Sequence, residues 1–156
     1  MKKLLLRDKI CLAITTLFGV GYLPFASGTW ACIVAVPIFL FVKNKIYFLI
    51  FTIVALILSY SFSSHAERLF GQKDCKKIVI DDFSGMLVSF LFIPYDFKFL
   101  IIGFFLFRAL DCVKIPPADM LEKYKGAKGI VGDDVVAGLY TNLILHAVRL
   151  ALKISS

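Results

Sequence analysis

Histidine is nearly missing from this 156-residue chain, which has two, and none of its four cysteines stands at C-x-x-C spacing. Cys11, Cys32, Cys75 and Cys112 are scattered in or beside apolar stretches, so neither a zinc site nor a disulfide framework is indicated, and they read as packing residues. No cysteine heads a phosphatase-type C-x5-R loop and no G-x-S-x-G elbow occurs, which disfavours covalent thiol or serine catalysis. The Gly-Lys-Ser/Thr core of a P-loop is absent as well. His65 and His146 lie far along the chain from the acidic clusters and read as loop or packing residues. No internal repeat of convincing length is found.

Acidic side chains are also scarce, 11 against 18 lysines and arginines, for a formal net charge of +7. In a soluble domain that excess would suggest nucleic acid. Here 60% of the residues are hydrophobic and the mean hydropathy is +0.85, which places the chain in the membrane class. The basic residues sit in short loops between apolar runs, where they set orientation and meet anionic headgroups. Aromatics lie inside the apolar runs rather than among the basic residues, so no nucleic-acid partner is expected.

The apolar runs predict an all-α fold: a polytopic integral membrane helical bundle, one domain over residues 1–156, with about five spans. Four runs are long enough to be credible, at 28–42, 46–62, 97–113 and 130–152. A fifth, 79–93, reaches only about 22 Å against roughly 30 Å of hydrocarbon, so it needs local thinning or a polar end at the interface. Residues 10–26 contain Gly19, Gly21 and Pro24 and predict a re-entrant or interfacial segment. The charged, apolar N-terminus imitates a signal peptide, but Asp8 and Lys9 interrupt it and no small-x-small cleavage site follows, so it is expected to be retained. If 10–26 does not cross, the basic clusters around Lys2, Lys3, Arg7 and Lys9, around Arg68, Lys73, Lys76 and Lys77, and around Lys114, Lys123, Lys125 and Lys128 all fall on the cytoplasmic side.

That topology brings chemistry to one level. Thr29 starts one span, Asp81 and Asp82 another and Asp133 and Asp134 the last, while Arg108, Asp111 and Lys114 end the span between. Carboxylates at a bilayer boundary are costly unless paired or metal-bound. Two of them about 4 Å apart repel by about 4 kcal/mol at an effective dielectric near 20. Arg108 and Lys114 compensate part of this, and oxygen ligands without His or Cys favour Mg²⁺ over zinc. The bland reading of each pair is helix capping, and that of FRALDCVK is an i, i+3 neutralised helix face. An arginine so held remains a good phosphate fork, and a lysine a point charge. Gly85 and Gly138 stand four residues after Asp81 and Asp134, where they would let another backbone approach. In GVGYLPFASGTW, amides at a helix start could bind phosphate, with Thr29 as hydroxyl donor or metal ligand.

With GTWACIVAVP, IVIDDFSGM, FFLFRALDCVKIPP and GIVGDDVVAG in this order, the chain resembles the phosphatidylglycerophosphatase A family from about Gly19 to Leu143. The resemblance implies a Mg²⁺-dependent integral membrane enzyme that takes the terminal phosphate from phosphatidylglycerophosphate, giving phosphatidylglycerol, at the cytoplasmic face of the bacterial inner membrane. By position, Gly28 and Thr29 match the family's Gly-Thr, Asp81 and Asp82 its Asp-Glu, Arg108, Asp111 and Lys114 its Arg-x-x-Asp-x-x-Lys, and Asp133 and Asp134 its Asp-Asp. Asp82 shortens the usual Glu by one methylene, Ala31-Cys32 replaces a common Gly-Ser, Ser27 replaces a usual Pro, and Ile115-Pro116-Pro117 shifts the prolines.

The expected site follows. Asp81, Asp82, Asp133 and Asp134 bind one or two Mg²⁺, Asp111 completes the shell or acts as base, and Arg108 and Lys114, with Gly28 and Thr29, hold the phosphomonoester. Asp81, Asp134 and Asp111 are the expected catalytic groups, with a metal-activated water or an aspartate as nucleophile. Two rivals stand beside this reading: a small carboxylate-lined cation transporter and a structural membrane subunit with capping aspartates.

Overall fold

The computed structural model describes residues 5–73, 75–113, 115–121, 124 and 126–152. These form helices α1 (Leu6–Thr15), α2 (Ser27–Phe41), α3 (Lys45–Phe70), α4 (Ile80–Ser89), α5 (Phe97–Val113), α6 (Ala118–Leu121) and α7 (Ala127–Ala151), with a 3-10 turn at Val20–Tyr22 and no strand among the described residues. Asn44 caps α3 by accepting from the amides of Ile46 and Tyr47, and Gly71 ends it in the left-handed conformation, at φ 66°.

The bundle is organised around α4. Nine of its ten residues are buried, Asp82 being the exception, because α2, α3, α5 and α7 all pack on it. Phe39, Phe90, Met86, Leu87, Phe99, Phe107 and Leu145 fill the space between them, and Phe39 stacks on Phe90 at a centroid distance of 4.4 Å. The sequence predicts a short span over 79–93. Instead, the structure makes this segment a central helix of ten residues, about 15 Å long, sheathed by protein. Neighbours cover it on nearly every side, and its polar residues are gathered mainly at its start, where Asp81 and Asp82 stand.

α3 extends eight residues beyond the predicted 46–62 run, through SSHAERLF. That extension and the residue before it, Phe62, support the neighbouring elements. Cys11 Sγ in α1 lies 3.5 Å from Phe62 O, and His65 Nε2 lies 2.9 Å from Asp8 Oδ1. The amides at the start of α7, on Gly126 and Ala127, donate to Glu67 Oε2 at 3.0 Å and Ser64 Oγ at 2.7 Å. At ten residues, α1 is far too short to cross a bilayer.

Among the described residues, α3 is the one helix long and apolar enough to cross a membrane, and only 28% of its most apolar window is buried. The outward faces of the other long helices are also apolar, with Ile33 and Phe41 on α2, Ile101 and Phe105 on α5, and Leu143 and Leu150 on α7 exposed.

Candidate active site

Four helix ends meet at one end of the bundle. The starts of α2, α4 and α7, the end of α5 and the 21–26 and 75–78 loops surround a cavity of about 710 Å³, whose floor carries Asp81, Asp82, Arg108, Asp111, Asp133 and Asp134. One carboxylate oxygen from each of Asp81, Asp82 and Asp134 lies within 4.8 Å of the others. Asp81, Asp133 and Asp134 are 7%, 8% and 5% exposed, so these are interior acids rather than a solvated face.

Glycine makes the convergence possible. A Cβ on Gly85 would stand 2.7 Å from Asp134 O, and one on Gly138 would stand 2.5 Å from Gly85 O, so α4 and α7 cross with their backbones nearly touching. That contact sets the spacing between the two aspartate pairs. A Cβ on Gly28 would overlap the Asp82 carboxylate, so the bare start of α2 leaves room for that side chain.

Capping does not account for the acids. Neither α4 nor α7 has a side-chain cap at its N-cap residue. Asp133 and Asp134 lie in the second turn of α7, whose leading amides are already taken by Ser64 and Glu67. Arg108 Nη1 pairs with Asp111 Oδ2 at 2.8 Å and directly with Asp82 Oδ1, so a single guanidinium ties α5 to α4. By contrast, Oδ1 of Asp81 and Oδ1 of Asp134 are buried without a hydrogen-bond partner. A buried carboxylate oxygen left so is expensive, and an all-oxygen donor set with unfilled lone pairs suits a hard divalent cation.

Of the residues expected at the site, Gly28, Asp81, Asp82, Arg108, Asp111, Asp133 and Asp134 all line the cavity. Thr29 does not, and its amide is used inside the helix, donating to Ala26 O at 2.8 Å. Lys114 lies outside the described residues. Sequence reasoning counted Lys76 and Lys77 only as loop charges, yet both line the cavity mouth, with Tyr22, Leu23 and Phe25. Their position one turn before the first aspartate pair was the available signal. His65 is paired with Asp8, and His146 Nε2 stands 3.2 Å from Leu91 O at the far end of α4. Neither is near the acids.

The fold and this site define an all-helical protein with a buried carboxylate cluster and a basic mouth at one end. The chain belongs to the phosphatidylglycerophosphatase A family, whose sequence model matches residues 13–149, and it is a phosphatase. It is 31% identical over 155 residues to phosphatidylglycerophosphatase A of Haemophilus influenzae, covering 96% of this chain and 94% of that one. The Escherichia coli protein of the same name is 31% identical over 134 residues, covering 83% of this chain and 77% of its own. A Bacteroides thetaiotaomicron protein provisionally named phosphatidylinositol-3-phosphatase is 31% identical over 146 residues, with 87% and 91% covered. No solved structure matches the chain.

Proposed function

We propose that this protein hydrolyses the terminal phosphomonoester of phosphatidylglycerophosphate in a Mg²⁺-dependent reaction, yielding phosphatidylglycerol and inorganic phosphate for phospholipid synthesis. The observation that carries this reading is the acid triad of buried Asp81 and Asp134 with half-buried Asp82, which pairs with Arg108, in a family of lipid phosphatases.

Asp81, Asp82 and Asp134, with Asp133 beside them, would hold Mg²⁺; when bound, the ion withdraws charge from the phosphoryl oxygens and lowers the pKa of a bound water. Arg108 pairs with Asp82 and Asp111, and its remaining N–H groups would bind a phosphoryl oxygen. Asp111 would complete the metal shell or take the proton from the attacking water. The water oxygen forms the new P–O bond as the bond from phosphorus to the glycerol oxygen breaks, and that oxygen takes up the proton given off by the water to leave as the lipid alcohol.

The exposed apolar faces of α2, α3, α5 and α7 support a multi-pass arrangement in the bacterial inner membrane, with α4 enclosed and α1 at the interface. The basic residues Lys76 and Lys77 at the cavity mouth support a cytoplasmic active site. The Bacteroides relative favours a second reading, a phosphatidylinositol phosphate as substrate.

The test uses purified protein in detergent, each of the two lipids, and phosphate release with Mg²⁺ against EDTA. Release from phosphatidylglycerophosphate that requires Mg²⁺ and is abolished in folded Asp81→Asn and Asp134→Asn proteins is expected. Wild-type release from either variant would refute the metal assignment, and release from the inositol lipid alone would shift the substrate. Cation transport into liposomes without phosphate release would favour the transporter reading.

A further inference from the structure

The cavity is chemically divided. Its floor is acidic around one arginine that already serves two carboxylates, whereas among the described residues its spare positive charge stands at the mouth on Lys76 and Lys77. Both side chains are exposed, and among the described residues neither ammonium pairs with a carboxylate.

Their main chain is held closely. Ser27 Oγ donates to Lys76 O at 2.7 Å, and Val79 N donates to Thr15 O at 2.9 Å. A Cβ on Gly21 would overlap Lys77 O, so the 20–22 turn lies directly against this segment. The Lys77 ammonium sits 5.4 Å from the Tyr22 ring centroid and 5.5 Å from that of Phe70, which confines it to one side of the mouth. The facing loop is strained to reach this place, with Leu17, Phe18, Phe25 and Ala26 all at positive φ. Such strain persists only where surrounding contacts enforce it.

A cavity of about 710 Å³ is larger than one phosphate needs. We propose that Lys76 and Lys77 form a second anion subsite that holds the phosphodiester of a lipid headgroup while its phosphomonoester occupies the floor. The inference rests on the phosphatase reading above and deepens it. The substrate class becomes a phospholipid with a diester and a monoester on 1,3-related carbons of one polyol. The glycerol of phosphatidylglycerophosphate and the inositol of phosphatidylinositol 3-phosphate share that relation, so one site of this design accepts either spacing.

The test compares Lys76→Gln/Lys77→Gln protein with wild type on phosphatidylglycerophosphate and on phosphatidic acid, which has a phosphomonoester but no diester, in the same Mg²⁺-containing micelles. The expected result is a fall of about tenfold or more in the ratio of kcat/KM values, diester-bearing lipid over phosphatidic acid, appearing mainly in KM. Lys76→Arg/Lys77→Arg should restore the ratio. Lys43→Gln/Lys45→Gln, which removes two charges between α2 and α3, should not change it. An unchanged ratio in the Gln variant, or an equal loss on both lipids, overturns the subsite and leaves the phosphatase reading intact. Absence of phosphate release from both lipids by wild-type protein overturns both.

Discussion

Gly138→Ala is the sharpest probe of how the site is built. The added Cβ would sit 2.5 Å from Gly85 O, whereas ordinary contact begins at 3.4 Å, so α4 and α7 must part by roughly 0.9 Å. Overpacking of this kind costs about 1–3 kcal/mol, and alanine returns up to about 1 kcal/mol of helix propensity. Net destabilisation is therefore modest, about 0–2 kcal/mol. The effect on activity is larger, because the shift separates Asp81 and Asp82 on α4 from Asp134 on α7, and about 1 Å of misplacement can cost about a hundredfold. Gly132→Ala is the control within the same helix. Its Cβ would meet only the Leu121 side chain, at 3.2 Å from Cδ1, a flexible end that can give way. Mg²⁺-dependent phosphate release and thermal unfolding in detergent are the assays. Gly138→Ala should lose activity up to about a hundredfold with a small fall in Tm, while Gly132→Ala keeps both. Wild-type turnover in Gly138→Ala, or an equal loss in Gly132→Ala, would show that the helix crossing does not set the carboxylate spacing.

Two further outcomes follow from single contacts. Arg108→Lys keeps one positive nitrogen for Asp82 and Asp111 but removes the remaining guanidinium N–H groups proposed to meet the phosphoryl oxygen, so kcat should fall roughly tenfold to a hundredfold in phosphate-release assays; unchanged kcat would remove Arg108 from the site. The hydrogen bond from His65 holds Asp8 below the ordinary carboxylate range. A depressed folded pKa means the contribution is present above the unfolded value of about 3.9 and is lost as pH falls through the folded one. Asp8→Asn should therefore lower Tm at pH 7 and converge on wild type as the pH falls through the folded value; a gap that persists in strong acid would assign the loss to packing.

Much of the helix inventory was legible because apolar runs of 15 or more residues announce themselves. The runs at 28–42 and 97–113 correspond to α2 and α5 within a residue at each boundary. The run at 46–62 under-reads α3, since SSHAERLF is amphipathic and gains its helical partners only from α1 and α7. The 79–93 run misleads in the other direction, because an apolar helix sheathed by protein and one facing lipid have the same composition. Asp81 and Asp134 were legible as costly acids, while Lys76 and Lys77 were not legible as part of the cavity wall, since surface lysines are common and only packing against Gly21 and Ser27 places theirs.

The sequence by itself determined the class of the fold, the residue types of the site and the family, since hydropathy, paired aspartates and motif order are properties of the chain read in one dimension. Tertiary structure alone decided how closely the two aspartate pairs approach, with one carboxylate oxygen each of Asp81, Asp82 and Asp134 within 4.8 Å, and that the second pair stands in the second turn of its helix. It also decided that a ring of lysine and aromatic side chains stands over them. The reason is that distances between helices are set by which residues lack a Cβ at the crossing, and sequence shows the glycines without showing what they face.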